Sequence, residues 1–175
     1  MDTVTIAKLK KASITVCNDI IKLFEIYNQF VRPQIKPLNV FLAYQKIALA
    51  KPTLFIKTGE KIQLVNNFEV FYLLKTTDLN QEWGGAQSAS IIMISESQFR
   101  SHYAFYELID IIGKYQKYLD IGSIYTHLNR FLTTDINCQL FSRRNFSIAT
   151  FCDLINIHEQ TYYKRREKDI NDVSQ

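Results

Sequence analysis

The sequence predicts an α+β fold in which a small mixed sheet with helices is followed by an all-helical C-terminal part. Three bounded apolar runs rich in branched residues predict the strands, at residues 53–56, 62–65 and 91–94. Apolar residues at helical spacing dominate the chain before these runs and after Ser95. Hydrophobic residues make up 47% of the sequence, which is enough for a packed core and excludes disorder of the whole chain.

The chain is predicted to have three parts. Residues 1–37 form an N-terminal helix and linker, residues 38–95 a small α/β core, and residues 96–175 a helical domain. The boundaries follow the points where helical periodicity gives way to short apolar runs and then returns.

The opening segment is predicted to be helical. Four apolar residues recur at every seventh position, which places them on one face: Leu9, Val16, Leu23 and Phe30. The helix should end before Pro33, because the residue preceding a proline is pushed out of the helical region. This apolar stripe predicts either packing within the chain or a homodimer through the N-terminal helix.

Turn and helix signals separate the predicted strands. A helix is expected over residues 39–50, and Gly59 supplies the turn of a hairpin between the first two strands. Asn67 tolerates a left-handed backbone and precedes a helix over residues 68–74. A loop is expected over residues 76–90.

The rest of the chain is predicted to be helical. Ser95 and Gln98 have the spacing of a capping box, and Gly113 is expected to end the helix that follows them. A further helix is expected over residues 123–132, and two short helices follow Ser147.

Charge is distributed unevenly along the chain. Residues 1–57 hold nine basic and three acidic residues, residues 58–140 six and nine, and residues 141–168 six and three. The net charge is +4. Two basic ends around an acidic middle are compatible with a polyanionic partner.

Cysteine usage and hydropathy exclude several protein classes. The three cysteines include no C-x-x-C pair, so neither a disulfide framework nor a thiolate zinc site is expected. No apolar stretch approaches the ~20 residues of a transmembrane helix, and the first residues lack a signal-peptide pattern. We therefore expect a cytoplasmic protein without membrane contact.

Residues 147–166 have the pattern of a helix-turn-helix motif. Cys152 supplies the small side chain needed where the second helix crosses the first, and Asn156 suits the left-handed turn. Tyr162 occupies the inward position of the second helix. The residues predicted to contact DNA are Arg143, Arg144, His158, Gln160, Thr161, Tyr163, Lys164, Arg165 and Arg166.

This stretch, with its Thr-Tyr-Tyr followed by basic residues at 161–166, resembles the helix-turn-helix of transposase-type and small regulator families. The resemblance implies double-stranded DNA as the partner. An ordinary helical hairpin with a solvated basic end is the alternative.

A second resemblance lies in the middle of the chain. Residues 51–75, with two apolar runs around Gly59 and then Asn66-Asn67-Phe68-Glu69-Val70, resemble the N-terminal domain of the partition protein ParB. The family has Gly where this chain has Asn67, and Glu-Arg-Arg where it has Phe68-Glu69-Val70. Because those arginines hold nucleotide phosphates in the family, the resemblance implies a DNA-associated fold without nucleotide binding.

No catalytic motif stands out. His102, His127 and His158 are isolated, and the sequence holds no H-E-x-x-H helix, P-loop or G-x-S-x-G elbow. We therefore expect no enzymatic activity, no cofactor and no metal. A tyrosine nucleophile at Tyr162 or Tyr163 is conceivable, but an aromatic core explains these residues more simply.

The sequence thus predicts a DNA-binding protein that acts as a regulator or partition-type factor. Its assignment to a mobile element would rest on family analogy alone. The alternative is a protein-interaction subunit of a larger assembly without direct DNA readout.

Overall fold

The computed structural model describes residues 2–5, 13–58, 61–75, 88–98 and 102–172. The strands are β1 Asp2–Thr5, β2 Ile14–Val16, β3 Thr53–Thr58, β4 Lys61–Leu64 and β5 Ser88–Ile94. The helices are α1 Ile21–Ile26, α2 Arg32–Ile35, α3 Phe41–Ala50, α4 Phe68–Lys75, α5 His102–Tyr115, α6 Ile121–Phe131, α7 Thr134–Phe141, α8 Ile148–Leu154 and α9 Glu159–Asp172.

The α+β fold class predicted from the sequence is confirmed. One mixed sheet has the strand order β1-β5-β3-β4-β2. β3 pairs antiparallel with β4, as the predicted hairpin requires, and parallel with β5. β1 pairs antiparallel with β5, and β2 pairs parallel with β4. Beyond β5 the described elements are all helical.

The chain divides into two compact units. The first comprises Met1–Phe24 and Leu38–Glu107, and contains the whole sheet with α3 and α4. The second comprises Glu25–Pro37 and Leu108–Gln175, and contains α6 to α9. The predicted division into three parts, with boundaries at residues 37 and 95, stays a prediction. The two compact units group the chain differently, because residues 25–37 belong with residues 108–175.

The sheet unit is organised around a buried hydrogen-bonded turn. Asn67 has a left-handed backbone, with φ of 60°, and lies just before α4. Its side-chain amide donates to the Ala48 carbonyl at 2.7 Å and to Thr53 Oγ1 at 2.8 Å. These bonds tie the end of α3 and the start of β3 to the turn, and all their groups are buried.

The prediction of one helix over the opening segment was wrong. Ile14 and Val16 lie on β2 and are buried, while Thr15 between them is exposed, because this segment alternates with the period of a strand. Leu9 lies outside the described residues. Leu23 is fully buried, so it offers no surface for the predicted dimer. The homodimer stays a prediction, without the helical stripe that motivated it.

Pro33 does not end the helix, contrary to expectation. A π-helical turn over Tyr27–Val31 precedes it, and the Arg32 N–H bonds to the Tyr27 carbonyl five residues back. Such a turn shifts the hydrogen-bond register before the proline. The Gln34 side chain also donates to the Phe30 carbonyl at 2.7 Å. The helix therefore continues to Ile35.

Gly113 was predicted to end a helix, but it lies within α5. A Cβ added there would lie 3.5 Å from the Cα and carbonyl oxygen of Ile155, in the turn between α8 and α9. These distances are those of ordinary van der Waals contact, so the turn leaves room for a Cβ at this position within α5.

Two other expectations were only partly tested. The predicted loop over residues 76–90 lies mostly outside the described residues, and its last three residues belong to β5. Ser95 does not cap a described α-helix; its hydroxyl lies 2.9 Å from that of Ser97, beside a 3-10 turn at Glu96–Gln98.

Candidate nucleic-acid interface

Helices α8 and α9 are joined by a tight turn whose backbone is closed by hydrogen bonds. α8 begins at the N-cap Ser147, whose hydroxyl accepts from the Thr150 N–H at 3.1 Å. At its other end the Asn156 N–H bonds to the Asp153 carbonyl and the Ile157 N–H to the Cys152 carbonyl. This pair of bonds, with φ of 56° at Asn156, is a Schellman motif. The predicted left-handed turn at Asn156 is confirmed.

This turn geometry makes a testable prediction for Asn156. Asn156→Gly is expected to leave the free energy of unfolding unchanged or raise it by up to about 1 kcal/mol, because glycine adopts the left-handed region without strain. The matched variant Asn156→Ala should lower it by about 1 kcal/mol. Urea denaturation measures both. A clear loss of stability in the glycine variant would show that the asparagine side chain, not the backbone, matters.

An aromatic cluster fixes the inner side of α9. Tyr162 is 1% exposed, and its ring centroid lies 6.0 Å from that of Tyr125 and 6.3 Å from that of Phe151. Tyr125 stacks on Phe146 at 5.8 Å and donates its hydroxyl proton to the Phe146 carbonyl at 3.1 Å. Cys152 is also buried, so the inward positions predicted for Cys152 and Tyr162 are confirmed.

The predicted DNA-contacting residues of this segment divide into exposed and half-buried side chains. Those exposed to solvent are His158, Gln160, Tyr163, Lys164 and Arg166. Thr161 and Arg165 are half-buried. Because each residue advances by about 100°, Gln160 and Lys164 lie on the side of α9 opposite Tyr162. The side of α9 that carries Gln160, Lys164 and the exposed Glu167 is therefore open to a partner.

Arg165 has a different position from its neighbours. Its Nη1 donates to the Gln116 carbonyl at 2.9 Å, which ties α9 to the 3-10 turn Gln116–Tyr118. Arg166 is exposed, and its Cγ passes 3.8 Å from where a Cβ on Gly122 would lie. The sequence Lys164-Arg165-Arg166 does not indicate that Arg165 differs from Arg166, because the difference depends on a hydrogen bond to a residue 49 positions away.

Arg143 and Arg144 lie in the loop before α8 and are exposed. The buried side chain of Asn137, which is 2% exposed, stabilises this loop. Its amide donates to the carbonyls of Leu132 at 3.0 Å and Arg144 at 3.3 Å. Ser142, with φ of 54°, ends α7 at the same loop. Asn137 was not singled out from the sequence, since a lone asparagine carries no recognisable pattern.

The buried titratable groups beside α9, Cys152 and Tyr162, are uncharged at neutral pH. Burial raises the pKa of the Cys152 thiol and of the Tyr162 hydroxyl above their ordinary values, although the Arg166 charge lowers that of Tyr162 in part. Both groups therefore stay protonated at neutral pH. Within the described ranges, no three His, Cys, Asp or Glu residues form a group that could hold a metal ion.

Part of the segment for which a resemblance to ParB is predicted, residues 51–67, borders a cleft of about 320 Å³ in the sheet unit. Its lining includes Lys51, Asn67 and Glu107, and the Asn67 N–H donates to the Glu107 carboxylate. Glu69 is fully buried and accepts from the Gln45 amide at 2.7 Å. Two carboxylates thus lie close to the start of α4, where the family places phosphate-binding arginines.

We expect no saturable binding of cytidine triphosphate at millimolar concentration. The Glu107 carboxylate accepts the Asn67 N–H that could otherwise face a phosphate, and carboxylates repel phosphate groups. Isothermal titration calorimetry tests this directly. A saturable heat of binding that disappears on altering Asn67 or Glu69 would contradict the prediction.

Comparison with protein-family models, with curated proteins and with solved structures gave no match. Among the helices described, none is both long enough and apolar enough to cross a bilayer.

Proposed function

We propose that this protein is a cytoplasmic double-stranded DNA-binding protein with α9 as its recognition helix. The observation that carries the proposal is the exposed face of α9, where Gln160 and Lys164 project opposite the buried Tyr162. The Schellman turn and the aromatic cluster hold this face in a fixed orientation relative to α8. Exposed polar side chains on a rigid helix suit the major groove, which admits an α-helix.

The exposed side chains divide into two kinds of DNA contact. Gln160 lies in the first turn of α9, the part of a recognition helix that reaches base edges, and an amide can bond an adenine in two places. Lys164 lies further along the same side, whereas Arg166, four residues after Tyr162, lies on the other side of the helix. Both side chains suit phosphates, as do Arg143 and Arg144 before α8. Arg165 supports this surface through its bond to Gln116 and has one fewer nitrogen free for DNA.

The first test concerns base readout by Gln160. A preferred duplex sequence is selected from a randomised library, and affinities are then measured for that sequence and for unrelated DNA. Gln160→Ala is expected to cost roughly 1–3 kcal/mol on the preferred sequence and little on unrelated DNA. Thr161 is half-buried and could reach a base only through its hydroxyl. Thr161→Ala should therefore cost less binding free energy on the preferred sequence than Gln160→Ala.

Two outcomes would contradict this assignment. One is a library that yields no enriched sequence; the other is an equal loss of affinity on both kinds of DNA. The role as a regulator or partition-type factor, and any link to a mobile element, rests on the resemblances to ParB and to transposase-type regulators.

A further inference from the structure

Helix α3 carries an exposed apolar seam on the side opposite its core contacts. Val40, just before the helix, is 48% exposed and Ile47 is 42% exposed. Ala43 and Ala50 are exposed on the same side. The opposite side packs into the sheet unit through Tyr44, Ala48 and Leu49, which are buried. α3 is therefore apolar on both sides, although only one side contributes to the core.

The spacing of the seam is that of a helix-packing surface. Val40, Ala43, Ile47 and Ala50 follow one another by three, four and three residues, the a/d spacing of a coiled-coil heptad. Isolated exposed apolar residues need no explanation, but a contiguous apolar stripe does. The two alanines would allow a second helix to approach closely, while Val40 and Ile47 would fill the gaps beside it.

The charge around the seam indicates the kind of partner. Residues 38–50, which include α3, contain a single charged residue, Lys46, and no Asp or Glu. Lys46 is exposed and borders the seam beside Ala43 and Ala50, three residues after the one and four before the other. The carboxylate of Glu69 on the neighbouring α4 is fully buried, so it does not offset this charge at the surface.

A second copy of this chain fits the seam poorly. In a symmetric dimer the same surface meets itself, so residues 38–58 of the other copy would offer Lys46 no carboxylate. An amphipathic helix with acidic residues beside its apolar stripe complements both the seam and the charge. We propose that the α3 seam docks such an acidic amphipathic helix of a partner protein, independently of the DNA-binding face.

Two synthetic peptides of about three heptads test this proposal with the full chain. Both carry the same small and branched residues at a and d, but one has Glu and the other Lys at the flanking e and g positions. Fluorescence anisotropy should show saturable binding of the Glu peptide and binding at least about tenfold weaker for the Lys peptide. Ile47→Asp should weaken the Glu peptide at least about tenfold. Leu49 is buried and is left unaltered.

The charge reversal Lys46→Glu provides the decisive control. It should lower affinity for the Glu peptide and raise affinity for the Lys peptide, while the circular dichroism spectrum and DNA affinity stay those of the parent. Equal binding of both peptides by the parent, or no effect of Ile47→Asp, would overturn the proposal. A parent chain that sediments as a dimer and dissociates in the Ile47→Asp variant would also overturn it, in favour of a second copy on the seam.

Discussion

Replacing Lys164 and Arg166 together with alanine is expected to weaken binding to every duplex sequence by a similar factor. Both side chains are exposed on α9, and each phosphate they neutralise releases condensed counterions. The slope of log K against log salt concentration should therefore fall by about one unit for each lost contact, or about two units in all. Anisotropy titrations at several salt concentrations measure both the affinity and the slope.

The matched control removes two positive charges elsewhere. Lys36 directly follows α2 and Lys57 lies on β3, and both are exposed. Replacing both with alanine gives a variant with the same net charge as the Lys164 and Arg166 variant. It should keep the parent slope to within about half a unit. If instead the Lys164 and Arg166 variant binds as tightly as the parent, α8 and α9 form only a helical hairpin.

Arg165 must be altered separately, because it also stabilises the fold. Its charged hydrogen bond to the Gln116 carbonyl is worth about 1.5 kcal/mol, so Arg165→Ala should lower stability as well as DNA affinity. A combined Arg165 and Arg166 variant would mix these two effects, whereas the Lys164 and Arg166 pair avoids the mixture.

Tyr162→Ala is expected to lower the free energy of unfolding by about 3–5 kcal/mol. The ring is 1% exposed and contacts Tyr125 and Phe151, so its removal leaves a cavity beneath α9. Tyr162→Phe should be neutral or stabilising by up to about 1 kcal/mol, since the buried hydroxyl has no hydrogen-bond partner among the described residues. Urea denaturation distinguishes the two, and a phenylalanine variant as unstable as the alanine variant would contradict this account of the cluster.

The same hydroxyl predicts a loss of stability at alkaline pH. Burial raises the pKa of Tyr162 above its ordinary value of 10.0, so the unfolded chain loses this proton at a lower pH than the folded chain. The contribution is therefore fully present below about pH 10 and is lost as the pH rises above it. Tyr162→Phe should flatten the stability profile above pH 10, and a variant whose profile matches that of the parent would contradict the prediction.

The parts of the fold that could be predicted are those set by local pattern. The strands at residues 53–56, 62–65 and 91–94 were predicted because short apolar runs bounded by polar residues have few alternatives. The left-handed turn at Asn156 was predictable for the same reason, because few residue types adopt that conformation.

The errors came from features that depend on contacts distant in sequence. The pairing of β2 with β4 overrides the heptad spacing of Val16, and the π-helical turn lets a helix pass Pro33. Gly113 was predicted to end a helix, but the helix continues through it to Tyr115. In the candidate interface, the exposed positions of α9 followed from helical spacing, whereas the bond of Arg165 to Gln116 did not.

The most direct test of the central proposal is a salt titration of the parent protein with three nucleic acids of matched sequence. Equilibrium binding is measured for duplex DNA, single-stranded DNA and duplex RNA from low to physiological salt. We predict the tightest binding to duplex DNA, with an affinity that falls linearly in log salt, because a recognition helix enters the B-form major groove and not the deep, narrow major groove of A-form RNA. Binding to single-stranded DNA or RNA as tight as to duplex DNA, or no salt-sensitive binding at all, would contradict the assignment of α9 as a recognition helix.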